Sequence, residues 1–283
     1  MPKDRSVKLK LLRQPVTEGA GVRLHRLFGH AEAPALDPFL LLDDFRSDVP
    51  ADYLKGFPWH PHRGIETITY VLKGDVEHGD SLGNQGTISS GDVQWMTAGS
   101  GIIHQEMPKG DENGSMHGFQ LWANLPAARK MISPKYRDIT ADQVPEVILS
   151  QQVRVKIIAG NIDGVKGPVD DIVIEPTFMD FAVPAGVEFS HGVDPSHTVF
   201  IYVIGGRGMT GDTGIENGDL VLYGKGDRLT VSATDEPIRF LLLCGRPLKE
   251  PVVWKGPIVM NTREELETAF QEYRENRFIQ PVQ

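Results

Sequence analysis

"YVLKGDVEHGD" (residues 70–80) and "SSGDVQWM" (89–96) return, in altered form, as "YVIGGRGMTGD" (202–212) and "ENGDLVLY" (216–223). Each copy reads as an apolar strand, a glycine turn, a hairpin, and a Gly-Asp pair opening another strand. Tyr70 to Tyr202 is an offset of 132 and Gly91 to Gly218 an offset of 127, so the echo keeps its spacing closely. A repeat of this length points to two similar β-barrels in tandem. The surrounding sequence agrees: "IETITYVL", "VRVKIIAG", "MDFAVPAG" and "IRFLLLCG" are short β-branched and aromatic runs separated by turn residues, the spacing of sandwiches and barrels. The fold class is therefore all-β. The polar, proline-containing "SPKYRDITADQVPEV" (133–147) separates the halves, giving barrels over 1–135 and 136–283. One helix is expected, at about 262–278 in "NTREELETAFQEYRENRF". Asn261 or Thr262 would cap it, with Glu264 or Glu265 in the capping box and Leu266, Phe270 and Tyr273 on its apolar face. That helix closes the second barrel's span and packs back on a barrel.

The chain has 283 residues, comfortable for two domains of about 140. Its 40% hydrophobic and 24% charged content is that of a globular protein. No run approaches the roughly 18 apolar residues of a membrane-spanning helix, and "MPKDRSVKLKLLRQPV" lacks the apolar core of a signal peptide. A cytoplasmic location is expected, extending to the nucleus in a eukaryote. The single cysteine, Cys244, cannot form an internal disulfide and sits in the apolar "FLLLCGRP", which reads as packing rather than catalysis. A formal charge of −9 with no basic block argues against direct binding of nucleic acid.

The chemistry concentrates in "FPWHPHRGIETITYV" (57–71) and "TAGSGIIHQEMP" (97–108). In a strand, residues i and i+2 share a face about 6.6 Å apart. His60 with His62, and His104 with Glu106, are two such pairs, and a hairpin barrel brings them together. Three imidazoles and a carboxylate suit one divalent transition metal and leave positions open for water or substrate. Glu66 competes for the carboxylate role. On a straight strand it stands about 13 Å from His62, so it joins the ion only if the chain folds back at Gly64. Geometry favours Glu106, with Glu66 supporting the site from behind or serving the fold. His25, His30, His78, His117, His191 and His197 lack comparable partners and read as solvent-exposed or hydrogen-bonded, with His117 an outside candidate because it follows the site. Applying the repeat offsets, His60, His62, His104 and Glu106 fall on Gly192, Asp194, Val231 and Ala233, so the second barrel is expected to hold no metal.

A H-x-H followed by Glu, then "GD-x4-TAG" and a later His, resembles the two-part cupin motif. "DPFLLLDDF", "HPHRGIET", "GDVQWMTAGSGIIHQE" and "GFQLWANLP" resemble the pirin family of bicupins, densely over about 36–126 and more loosely beyond. The resemblance implies two tandem cupin barrels. It implies a metal in the N-terminal one, held at the positions matching His60, His62, His104 and Glu106. This departs from the general cupin pattern, in which the Glu of the first motif is the ligand. Fe(II) is the metal implied, with Ni, Cu, Zn, Mn or Co as alternatives. Pirin-like bicupins include quercetin 2,3-dioxygenases, which open a flavonol with O₂ and lose carbon monoxide. Glu106 would then take the flavonol 3-hydroxyl proton or be displaced by substrate. Other pirins act as iron-dependent, redox-responsive cofactors of a transcription factor, the alternative role here.

Remaining motifs carry less. "AGSGI" lacks nucleophile-elbow spacing. "GGRGMTGDTG" is a hairpin turn rather than a phosphate loop. "NGS" (113–115) matches a glycosylation acceptor only formally. Asp43 and Asp44 in "LLLDDF" are acidic enough for a second metal, but a capped or hydrogen-bonded loop is the preferred reading.

Overall fold

The turn-punctuated apolar runs form strands almost throughout the computed structural model, which describes residues 2–172 and 174–279. The first twelve strands are β1 (Val7–Leu12), β2 (Gln14–Glu18), β3 (Val22–Phe28), β4 (Phe39–Asp44), β5 (Phe57–His62), β6 (Ile65–Lys73), β7 (Asp75–Asp80), β8 (Gln85–Ile88), β9 (Val93–Thr97), β10 (Ile102–Lys109), β11 (His117–Asn124) and β12 (Lys135–Ile139). In the first barrel a seven-stranded sheet runs β12-β9-β6-β11-β4-β3-β2 and a four-stranded sheet runs β5-β10-β7-β8. The second barrel repeats this order. Its seven-stranded sheet is built around Thr198–Gly205, with Ile238–Gly245 on one side and Asp219–Tyr223 on the other; its four-stranded sheet is Glu188–Gly192, Arg228–Ala233, Arg207–Thr210 and Thr213–Glu216. The repeat read in the sequence is thus a repeat of topology.

The two compact units are not two contiguous halves. One unites residues up to Arg13, Leu36–Pro38 and Asp142–Pro247; the other unites Gln14–Ala35, Phe39–Ala141 and everything from Leu248 onward. The handover at Ala141/Asp142 lies in the 133–147 stretch, but the ends of the chain are exchanged relative to a single cut at 135/136. β1 belongs to the second barrel, where it lies along Asp219–Tyr223 in antiparallel register. It holds there the edge position that β12 holds beside β9 in the first. The C-terminal helix, Arg263–Arg274, belongs to the unit that holds the first barrel rather than to the unit that holds the second. Thr262 caps it, accepting from the Glu265 amide in a full capping box. Leu266 and Ala269 are its buried residues, packed with Ile258, Met260 and Phe278, while Tyr273 is exposed. Nothing local in the helix specifies which barrel it docks on.

The second barrel's interior is apolar from strand to strand, including Val155, Phe181, Ile201, Val231 and Phe240. Cys244 lies in that core, and burial pushes its thiol up to about 12, which makes it inert. "GGRGMTGDTG" forms the hairpin Arg207–Thr210/Thr213–Glu216. The first barrel has apolar clusters too, around Val22 and Tyr53 and around Ile65 and Met96. Between them it keeps a cavity.

Candidate metal centre

β5 is an edge strand, so Pro58 and Pro61 sit in it without breaking a central ladder. The i, i+2 rule then places His60 and His62 on one face. β10 pairs with β5 so that His104 stands directly opposite His60. Along β10 the burial alternates, turning Ile102, His104, Glu106 and Pro108 inward. Gly64 turns the chain from β5 into β6 at φ +79°, and a Cβ there would meet the Val259 carbonyl at 1.9 Å.

The three imidazoles converge. His60 Nε2 stands 3.0 Å from His62 Nε2 and 3.0 Å from His104 Nε2. His60 Nδ1 donates to the Pro58 carbonyl at 2.9 Å and His62 Nδ1 to the Pro257 carbonyl at 3.2 Å. Those bonds place the protons on Nδ1, so the Nε2 atoms face each other as lone pairs. Lone pairs at this distance repel unless a cation lies between them. Two nitrogens each about 2.1 Å from one ion and about 90° apart stand about 3.0 Å from each other, so the spacing fits a metal site. Burial drives the His62 and His104 pKa values well down, which keeps both rings neutral and ready to ligate. Among the described residues these three histidines are the one cluster of three potential metal ligands.

Glu106 lies beside the cluster, its Oε2 3.9 Å from His104 Nε2. Gln120 Nε2 donates to Oε2 at 3.1 Å and the Thr69 hydroxyl lies 3.1 Å from Oε1. Burial raises its pKa. Glu66 is elsewhere: it accepts from the Thr97 hydroxyl at 2.7 Å, and burial raises its pKa too. Strand parity explains the separation. Thr69, on β6, faces the site, so Glu66, an odd number of residues away, faces the other side of the sheet.

The cavity beside the histidines measures about 520 Å³. Trp122 and Trp254 form one wall with ring centroids 5.8 Å apart, and His30 stacks on Trp254 at 3.7 Å. His62 meets the edge of Trp122 at 5.1 Å. Asp43 and Asp44 lie on strand β4 rather than in a loop, both buried and bound to Arg26 and Arg46 respectively. His78, directly across from Glu106 on β7, is buried and bonded to Gln94 at 3.0 Å. Thr69, Gln120, Trp122, Trp254 and the Pro257 carbonyl went unread in the sequence. Gln120 and Trp122 carried a signal, a polar and an aromatic residue at i, i+2 in a strand. Trp254 and Pro257 arrive from the far end of the chain and carried none.

Three histidines converging in the first of two repeated β-barrels define a bicupin with a candidate metal centre. The pirin pattern matches residues 21–123 and the pattern of the pirin C-terminal cupin domain matches 178–279. A pirin-like protein of Caulobacter vibrioides is 44% identical over 95% of this chain and 98% of its own length. Pirin of Homo sapiens is 39% identical over 97% of this chain and 94% of its own. The crystal structure of a quercetin 2,3-dioxygenase from Acinetobacter baumannii superposes with a TM-score of 0.88 at 30% identity, covering 99% of this chain and all of the other. The chain belongs to the pirin family.

Proposed function

We propose that this protein is a metal-dependent dioxygenase that opens a flavonol such as quercetin at a single metal bound by His60, His62, His104 and Glu106. The observation that carries the reading is the convergence of three imidazole Nε2 atoms at one end of a cavity large enough for a multi-ring substrate. The resemblance to the Acinetobacter dioxygenase supports the substrate class. The donor set accepts most first-row divalent ions, and Fe(II) is the proposed occupant. A bound divalent ion supplies Lewis-acid binding of the flavonol oxygens and access to O₂ chemistry.

The chain's own residues do the rest. Trp122 and Trp254 hold the flat substrate and keep water out. Glu106, whose basicity is raised by burial, takes the 3-hydroxyl proton. Gln120 and Thr69 hold that carboxylate in place while it does so. Stripped protein reloaded with Fe(II) should consume quercetin aerobically, seen as loss of flavonol absorbance, and His62→Ala should not. Turnover by His62→Ala equal to that of the wild type, or none with any metal, overturns the proposal.

A further inference from the structure

One rung of the first barrel is polar from strand to strand. Arg26 pairs with Asp43, Asp43 with Gln120, Gln120 with Thr69, and Thr69 with Gln94, across β3, β4, β11, β6 and β9. In the second barrel the same pairing sequence reads Ile157, Met179, Leu242, Ile201 and Val221. All five of those belong to its apolar core. The fold therefore closes without polar side chains on this rung. Burying polar groups costs stability unless every one finds a partner, so the first barrel keeps them for another reason. Thr69 and Gln120 hold Glu106, as described. Arg26 and Asp43 touch none of the metal-site residues, yet both line the cavity.

Their chemistry indicates what they face. Arg26 binds Asp43 through Nε and Nη2, each at 2.8 Å, and its Nη1 reaches Glu18, also on the cavity wall, at 2.9 Å. One cation between two carboxylates leaves the seat net negative. It offers acceptor lone pairs and guanidinium N–H groups side by side, a match for hydroxyls that donate and accept. It repels a carboxylate ligand. Neighbouring strands lie about 4.8 Å apart, so Asp43 stands two strands, about 10 Å, from Thr69 beside Glu106. A flat ligand with one end at the metal and its body along Trp122 reaches it.

We propose that Arg26 and Asp43 form a seat for the hydroxyl groups on the distal ring of a neutral planar polyphenol whose other end lies at the histidine cluster. This rests on the dioxygenase reading for the orientation of the ligand. The test reads binding rather than turnover. Metal-loaded protein under anaerobic conditions is titrated with galangin, which has no distal hydroxyl, and with quercetin, which has two, following quenching of tryptophan fluorescence.

The wild type should bind quercetin about tenfold tighter than galangin, the weight of one good charge-assisted hydrogen bond. Asp43→Asn should cut that ratio below about threefold and move galangin affinity less than about twofold, so retained galangin binding reports a folded cavity. Arg26→Lys keeps the charge and loses the fork, and should give an intermediate ratio. Equal binding of the two flavonols by the wild type, binding of neither, or an unchanged ratio in both variants overturns the seat. Selective binding without aerobic turnover leaves the seat standing and removes the dioxygenase. Turnover without selective binding does the reverse.

Discussion

The two barrels share a strand order and differ in what they put inside it. β5 and β10 correspond by position in the sheet to Glu188–Gly192 and Arg228–Ala233. Where the first barrel turns His104 and Glu106 inward, the second turns Leu229, Val231 and Ala233 inward, all buried. His191 is the one histidine on Glu188–Gly192; it is half-buried, stacks on Phe189, and burial lowers its pKa. The second barrel thus shows the same strand order closed around an apolar core. The first barrel departs from it at the histidine cluster and along the polar rung. Those departures, rather than the shared strands, carry the chemistry.

The comparison breaks most visibly at the metal. His62→Ala should lower affinity for a divalent ion by more than about a hundredfold, since loss of a mere supporting residue already costs ten- to a hundredfold. His191→Ala in the second barrel should leave one ion per chain. Metal analysis after gel filtration reads both, and equal loss in the two variants would erase the distinction between the barrels. Next in size is the core itself. Leu242→Ala removes a fully buried side chain from the apolar rung and should cost about 2–5 kcal/mol in urea unfolding while metal stoichiometry holds. A parallel loss of metal would show that the centre depends on the second core.

A smaller effect comes from making the first barrel resemble the second. Thr69→Val with Gln120→Leu imitates Ile201 and Leu242 on the polar rung. Thr69 and Gln120 bond each other, so removing both leaves neither of them unpaired, but buried Glu106 is left without them and stability should fall by about 1–3 kcal/mol. Glu106 loses both of its donors, and metal affinity should fall about tenfold in a competition titration. Unchanged affinity would mean that Glu106 needs no help to stay in place.

Much of this contrast was legible in the sequence. The barrels followed from strand spacing and a repeat, and the histidine cluster from two i, i+2 pairs, because strand parity is a local rule. The preference for Glu106 over Glu66 rested on distance along a strand, and the structure adds that the two face opposite sides of the sheet. The exchange of chain ends was not legible. β1 carries edge-strand composition that suits either sheet, and the segment holding Trp254 and Pro257 reaches the first barrel through packing of Ile258, Met260 and Leu266. Arg63, buried, fastens that segment by donating to Glu272 and to the Phe278 carbonyl, a contact across more than two hundred residues. The polar rung was equally hidden, since its members come from five strands and meet only through register.

The finest test of the contrast is a titration, because the apolar rung has nothing to titrate. Burial pushes the Asp43 carboxyl up to about 6, with Arg26 pulling it back down and Glu18 and Asp44 pushing it up. Its folded value lies above the unfolded value of about 3.9, so the native state holds the proton more tightly. Its contribution to stability is therefore present at low pH and declines as pH rises from about 4 to 6. Function runs the other way. Above about 6 the ionised carboxylate accepts hydrogen bonds from distal hydroxyls, and below it the protonated form accepts them weakly. The quercetin-to-galangin affinity ratio should shrink about threefold between pH 7 and pH 5. Protonation of His62 or His104 weakens both ligands alike and cancels in the ratio, whereas Asp43→Asn should leave the ratio flat. A wild-type ratio that does not change between these pH values would mean that Arg26 alone does the recognising and that Asp43 only holds it in place.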